Sequence, residues 1–97
     1  MNLIKELQEM MKSLYYLKDK KRGKTRTMLK LVEELGELAE AVLLEDIEKV
    51  EEEMVDLVAW VLSLSNLFDL DLTHSFLAKY NHVCPKCKNN PCSCDTS

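Results

Sequence analysis

The sequence predicts an all-α fold, an antiparallel four-helix bundle followed by a short cysteine-rich tail, and three observations support this. Apolar residues recur at three- and four-residue steps through most of the chain before the tail. No segment alternates at period two over a useful length, so no sheet is expected. Only two glycines and two prolines occur among 97 residues, which leaves long stretches without a helix breaker. Short connections make neighbouring helices antiparallel, and no unit repeats at solenoid length.

The first helix is expected from about Asn2 to Lys21, with Leu3, Leu7, Met10, Leu14 and Leu17 as its apolar stripe and Ile4 and Met11 widening it. Gly23 stands where a helix terminates. The run from Lys18 to Arg26 carries six positive charges and one negative. Cations complementing the helix dipole are the favoured account of that run, ahead of a landing place for a polyphosphate. The second helix starts near Thr25 or Thr27, either of which suits an N-cap, and runs to about Leu44. Leu31, Leu35, Leu38 and Val42 are its expected buried stripe, with Met28, Val32 and Ala39 alongside. Glu34 and Glu37 share one flank, while Glu33 and Glu40 turn toward water. Gly36 costs this helix up to ~1 kcal/mol relative to alanine, which suggests that a backbone or ligand comes close there.

Asp46 caps the third helix, whose first turns are acidic through Glu48, Glu51, Glu52 and Glu53. From Met54 it is apolar nearly all round, through Val55, Leu57, Val58, Trp60, Val61 and Leu62. One side is expected to face the interior and another a partner subunit. Trp60 and the methionines read as core and interface, and Asn66 as a partner for backbone. Asp71 caps a shorter fourth helix, roughly Leu72 to Asn81, with Phe76, Leu77 and Tyr80 facing the core.

Residues 1–83 read as one helical domain and 84–97 as the tail. A domain this small leans on oligomerisation or a bound metal. The net charge of −4 argues against general affinity for nucleic acid. No stretch approaches the ~20 apolar residues of a membrane span. Glu6 and the lack of a long apolar core near the start argue against a secretory signal, so a cytoplasmic location is expected.

The chemistry concentrates in two acidic pairs, Glu34 with Glu37 and Glu53 with Asp56. Spacing of i, i+3 puts each pair on one helix face, and each sits beside an apolar stripe. Gathered there, the four carboxylates repel one another and lose solvation unless a cation is held between them. Asp56, embedded in an apolar run, gives the strongest local argument for metal, because Glu53 one turn earlier has the wrong sign to pair with it. A plain solvated acidic face is the alternative, and the duplication of the pair weighs against it. The favoured reading is a magnesium site.

Glu34-Leu-Gly-Glu37, 15 intervening residues, and Glu53-Met-Val-Asp56 together resemble the ExxE…ExxD signature of the MazG family of nucleoside triphosphate pyrophosphohydrolases. The flanking run Leu31 to Ala41 agrees, and the resemblance spans about Leu3 to Tyr80. It implies hydrolysis of a nucleoside triphosphate to monophosphate and pyrophosphate by a homodimer or homotetramer. Glu34, Glu37, Glu53 and Asp56 would be the catalytic magnesium ligands, with Glu34 or Glu37 orienting the attacking water. Lys30, Lys79 and Arg22 are candidates for the triphosphate tail. The alternative is a non-catalytic helical oligomerisation module that presents a zinc-binding tail to a partner. A di-iron bundle is disfavoured, since neither pair has the Glu-x-x-His of such sites.

All four cysteines fall in the tail, at Cys84, Cys87, Cys92 and Cys94. Cys84-Pro-Lys-Cys87 has the form of a zinc knuckle, and four thiolates complete a tetrahedral site. Cys92-Ser-Cys94 is tighter than the usual second pair. Zinc, as a structural site, is favoured in spite of that spacing; two disulfides are the alternative, against which a cytoplasmic location argues, and free thiols are the third option. His82 and His74 are expected to stand aside.

Overall fold

The computed structural model describes residues 3–95, so the expected helix start at Asn2 lies outside the described residues. Four helices follow one another: α1 Leu3–Arg22, α2 Lys24–Leu43, α3 Ile47–Leu67 and α4 Leu72–Lys79. No strand occurs among the described residues. α3 is the central element, packed most extensively on α2 and next on α1, while α4 rests on α1. None of these helices is long and apolar enough to cross a membrane.

Local chemistry sets the helix ends. Gly23 adopts φ +87°, a backbone conformation that disfavours residues with a Cβ, and its N–H closes α1 on the Asp19 carbonyl at 2.8 Å. Because the chain reverses at this one residue, α2 begins at Lys24 with Gly23 as its cap and no side-chain cap bond. The expected threonine caps are thereby corrected, since both threonines fall inside the helix. Thr27 is fully buried, and its hydroxyl donates to the Gly23 carbonyl at 2.8 Å. Asp46 does cap α3, accepting from the Lys49 N–H at 3.2 Å. Asp71 caps α4 in the same way, from the His74 N–H at 3.2 Å.

The buried faces differ from the expected stripes. α1 turns Leu7, Gln8, Met11 and Asp19 inward, whereas Leu3, Met10, Leu14 and Leu17 are exposed. α2 packs through Thr27, Leu31, Glu34, Leu38 and Ala41, steps of four and three residues that follow one seam; Leu35, Val42, Met28 and Val32 are about half exposed. Each helix has apolar residues on two flanks, and periodicity alone does not say which flank meets α3. α4 ends at Lys79, short of the expected Asn81, and Phe76, Leu77 and the C-cap residue Tyr80 are also about half exposed. An eight-residue helix is only ~12 Å long, too short to reach across the bundle, and Phe76 and Tyr80 pack their rings on each other at 5.3 Å instead.

Polar residues fasten the α3–α4 turn to α1. Gln8 is buried; its amide donates to the Leu70 carbonyl and accepts from the Leu72 N–H at 3.3 Å. Asn66, also buried, donates to the Gln8 carbonyl at 3.0 Å, the backbone role expected for it. Gln8→Ala should cost about 1–3 kcal/mol by orphaning these groups. Thr25→Ala, which removes no cap, should stay within about 0.5 kcal/mol. Urea denaturation of both variants at one fixed protein concentration checks the pair.

Candidate metal centre

The seam between α2 and α3 carries acids where a bundle ordinarily places apolar side chains. Glu34 occupies it between Leu31 and Leu38, and Glu53 enters from α3 with 4% of its surface exposed. Glu34, Glu37 and Glu53 each bring a carboxylate oxygen within 4.8 Å of the others. Oε2 of Glu34 and Oε2 of Glu53 are buried with no hydrogen-bond partner among the described residues. Lys49 Nζ lies 3.9 Å from Glu53 Oε1, on the opposite oxygen from the orphan.

Such an arrangement disfavours charge. Burial, then the contact with Glu53 and the nearby charges of Glu37 and Asp56, push Glu34 from its ordinary 4.5 up to about 7. Glu53 is raised as well, chiefly by burial. Two orphaned oxygens of like charge in an apolar seam fit a hard, oxygen-seeking cation, and a proton takes that place when no cation is present.

The four predicted acids form two groups that share Glu53. Asp56 gathers with Glu52 and Glu53, again within 4.8 Å, and not with Glu34 and Glu37. The expectation of a buried Asp56 is corrected: Glu53 is the buried member of its pair, while Asp56 opens onto a cleft between α1 and α3. The seam runs through Glu53 and Leu57, and Asp56 falls one helical position off it. Nor does Gly36 meet anything in the chain, since a Cβ built there has no neighbour within 4 Å among the described residues.

The α1–α3 cleft encloses about 300 Å³ and is lined by Tyr15, Lys18, Asp19, Arg22, Asp56 and Trp60, among others. Arg22 pairs with the buried Asp19 at 2.7 Å and lies over the Trp60 ring at 4.7 Å. Arg22 thus stands across the cleft from Asp56. The other two predicted phosphate ligands are elsewhere. Lys30 is exposed on α2 and pairs with Glu33 at 3.4 Å, and Lys79, in the last turn of α4, lies against Tyr80. Sequence reasoning passed over Glu52, Lys49 and Tyr15 as site residues, whereas Lys18, which lines the cleft, belongs to the basic run weighed as a landing place for a polyphosphate. The i, i+4 spacings of Lys49 to Glu53 and of Glu52 to Asp56 were the available signal; nothing local marked Tyr15.

In the tail, Cys84, Cys87, Cys92 and Cys94 converge with their sulfurs within 4.8 Å of one another, and all four are free thiols. Backbone N–H groups of Ser93 and Asn89 pull Cys87 down to about 5, and those of Cys87 and Lys86 lower Cys84. Hydrogen bonding with the other three sulfurs pushes Cys94 up to about 11. His82 and His74 are exposed and belong to neither cluster.

A family model described as the MazG nucleotide pyrophosphohydrolase domain matches residues 22–88, more than two thirds of the chain. The match covers both acidic pairs and stops between the two cysteine pairs. No curated protein matches the chain.

The acid pair gives stability an unusual pH dependence. Between 4.5 and about 7 the folded chain keeps a proton on Glu34 that the unfolded chain has lost. The folded state binds more protons there, so stability falls as pH rises. In metal-free protein the Tm should drop across this window, and saturating magnesium or Glu34→Gln should flatten the slope. Thermal unfolding followed by circular dichroism checks this, and a Tm that rises with pH would contradict it.

Proposed function

Because the chain belongs to the MazG nucleotide pyrophosphohydrolase family, we propose that it hydrolyses nucleoside triphosphates to monophosphate and pyrophosphate with magnesium. The observation that carries this is the pair of buried, unpartnered oxygens on Glu34 and Glu53; Asp56, which clusters with Glu53, also lines the α1–α3 cleft of about 300 Å³. Glu34, Glu37 and Glu53 would hold the ion, with Asp56 and Glu52, which cluster with Glu53, offering further oxygens. When bound, magnesium neutralises charge on the leaving pyrophosphate and acidifies the attacking water.

The chain's own groups supply the rest. Lys18 and Arg22 face the triphosphate from α1 and offset its charge, while Tyr15 and Trp60 offer apolar walls to the nucleoside. Water adds at the phosphorus of the α–β linkage and the bond to pyrophosphate breaks. The water's proton passes to a carboxylate, Glu34 or Glu37, within reach of the same oxygens.

The active form is a homodimer or homotetramer. Ala41 and Leu62 are the only buried hydrophobic residues among those described, while Leu17, Leu43 and Ile47 are 80% exposed or more. Faces this apolar call for cover by a second copy. The cytoplasm, where thiols stay reduced, is the proposed setting, and residues 1–83 are proposed as the catalytic unit.

Pyrophosphate release should appear from one or more members of a panel of ribo- and deoxynucleoside triphosphates only with magnesium. Glu53→Gln should lower it on the order of a hundredfold or more. Release that persists in the variant would remove Glu53 from the site, and no release from any triphosphate would remove the reaction. Light scattering after gel filtration should give the mass of two or four chains.

A further inference from the structure

Beyond Lys79 the described chain has no helix or strand, and most of its side chains are exposed. Ordering such a stretch has an entropic cost that apolar burial does not offset here. What the segment does contain is four convergent sulfurs and a backbone folded around them. The Cys84 N–H donates to the Asn89 carbonyl at 3.0 Å and the Lys88 N–H to the Cys84 carbonyl at 2.8 Å, which closes the first cysteine pair into a tight arch. Asn90 donates to the His82 carbonyl at 2.7 Å, and Asn89 to the Ser93 hydroxyl at 2.6 Å. These bonds bring the second pair back onto the first.

The two pairs meet sulfur to sulfur. Cys84 Sγ lies 3.8 Å from Cys94 Sγ, and Cys87 Sγ lies 3.9 Å from Cys92 Sγ. A tetrahedral zinc with ~2.3 Å zinc–sulfur bonds sets its sulfurs about 3.8 Å apart, whereas bonded sulfurs stand ~2.05 Å apart. Two N–H groups point at sulfur as well: Ser93 at Cys87 Sγ, 3.3 Å, and Cys94 at Cys92 Sγ, 3.3 Å. Donors aimed at sulfur favour the thiolate that a metal requires.

We propose that Cys84, Cys87, Cys92 and Cys94 bind one structural zinc ion as a tetrathiolate, forming a knuckle that is independent of the acidic centre. The four thiolates with the ion carry a net charge of −2, and Lys86 and Lys88, exposed on the first arch, bring two positive charges beside it. With all four positions taken by sulfur, no position remains for water or substrate, so the ion serves structure and not catalysis.

The test uses the full chain, purified under reducing conditions without chelator and desalted. Metal analysis should find one zinc per chain, released only when a mercurial titrates the thiols. Cobalt exchanged into the wild-type protein should give the spectrum of a tetrahedral tetrathiolate. Cys87→Ser and Cys94→Ser should lose the zinc while keeping the far-ultraviolet helical signal. Glu53→Gln should retain it, which separates this site from the proposed magnesium centre. The cobalt measurement on unaltered protein decides the matter even where a variant fails to fold. Freely reactive thiols with no zinc, a mass lower by two hydrogens per bridge, or thiolate-bound iron with visible absorbance would each overturn the proposal.

Discussion

The repulsion between Glu34 and Glu53 is the constraint on which the rest of this protein depends. A helix seam normally stabilises a small bundle by removing apolar side chains from water. Here the seam between the two most extensively packed helices gives up that stabilisation, where two carboxylates face each other with oxygens that nothing among the described residues satisfies. Leu31 and Leu38 on either side hold α2 against α3, so the acids cannot separate without undoing the interface. The pair is therefore satisfied only by a proton or by a cation. That makes occupancy of the site part of the folding free energy, as it is wherever binding discriminates between folded and unfolded chains.

The same constraint shows in the apolar surface. α3 touches two helices, yet Met54, Val55, Val58 and Phe68 remain half exposed or more, and the outward faces of α1 and α2 repeat the pattern. A domain of 97 residues that gives its best interior positions to carboxylates, Gln8, Asp19 and Asn66 has little core of its own. These interior polar groups hold particular parts of the molecule in place. Gln8 and Asn66 fix the α3–α4 turn, and Asp19 steadies Arg22 beside the cleft. In the proposed assembly, the missing apolar burial comes from a second copy. The thiol cluster follows the same logic at smaller scale, a segment without a core organised around what its sulfurs bind.

The local features of this fold were legible in the sequence because their causes are local. Four helices, the stop at Gly23, the caps at Asp46 and Asp71, and two acidic pairs on helical faces follow from backbone sterics, capping and the 3.6-residue period, each of which acts within a few residues. The convergence of the four cysteines was likewise suggested by their spacing. Tertiary structure alone decided which flank of each helix faces inward. That choice placed Glu53 in the seam and left Asp56 on the cleft, turned Leu14 and Leu17 outward, and set Arg22 against Trp60. It also set Cys84 against Cys94 and Cys87 against Cys92. Periodicity describes a helix by itself, whereas burial depends on the surface it meets, and that surface is contributed by residues far away in the chain.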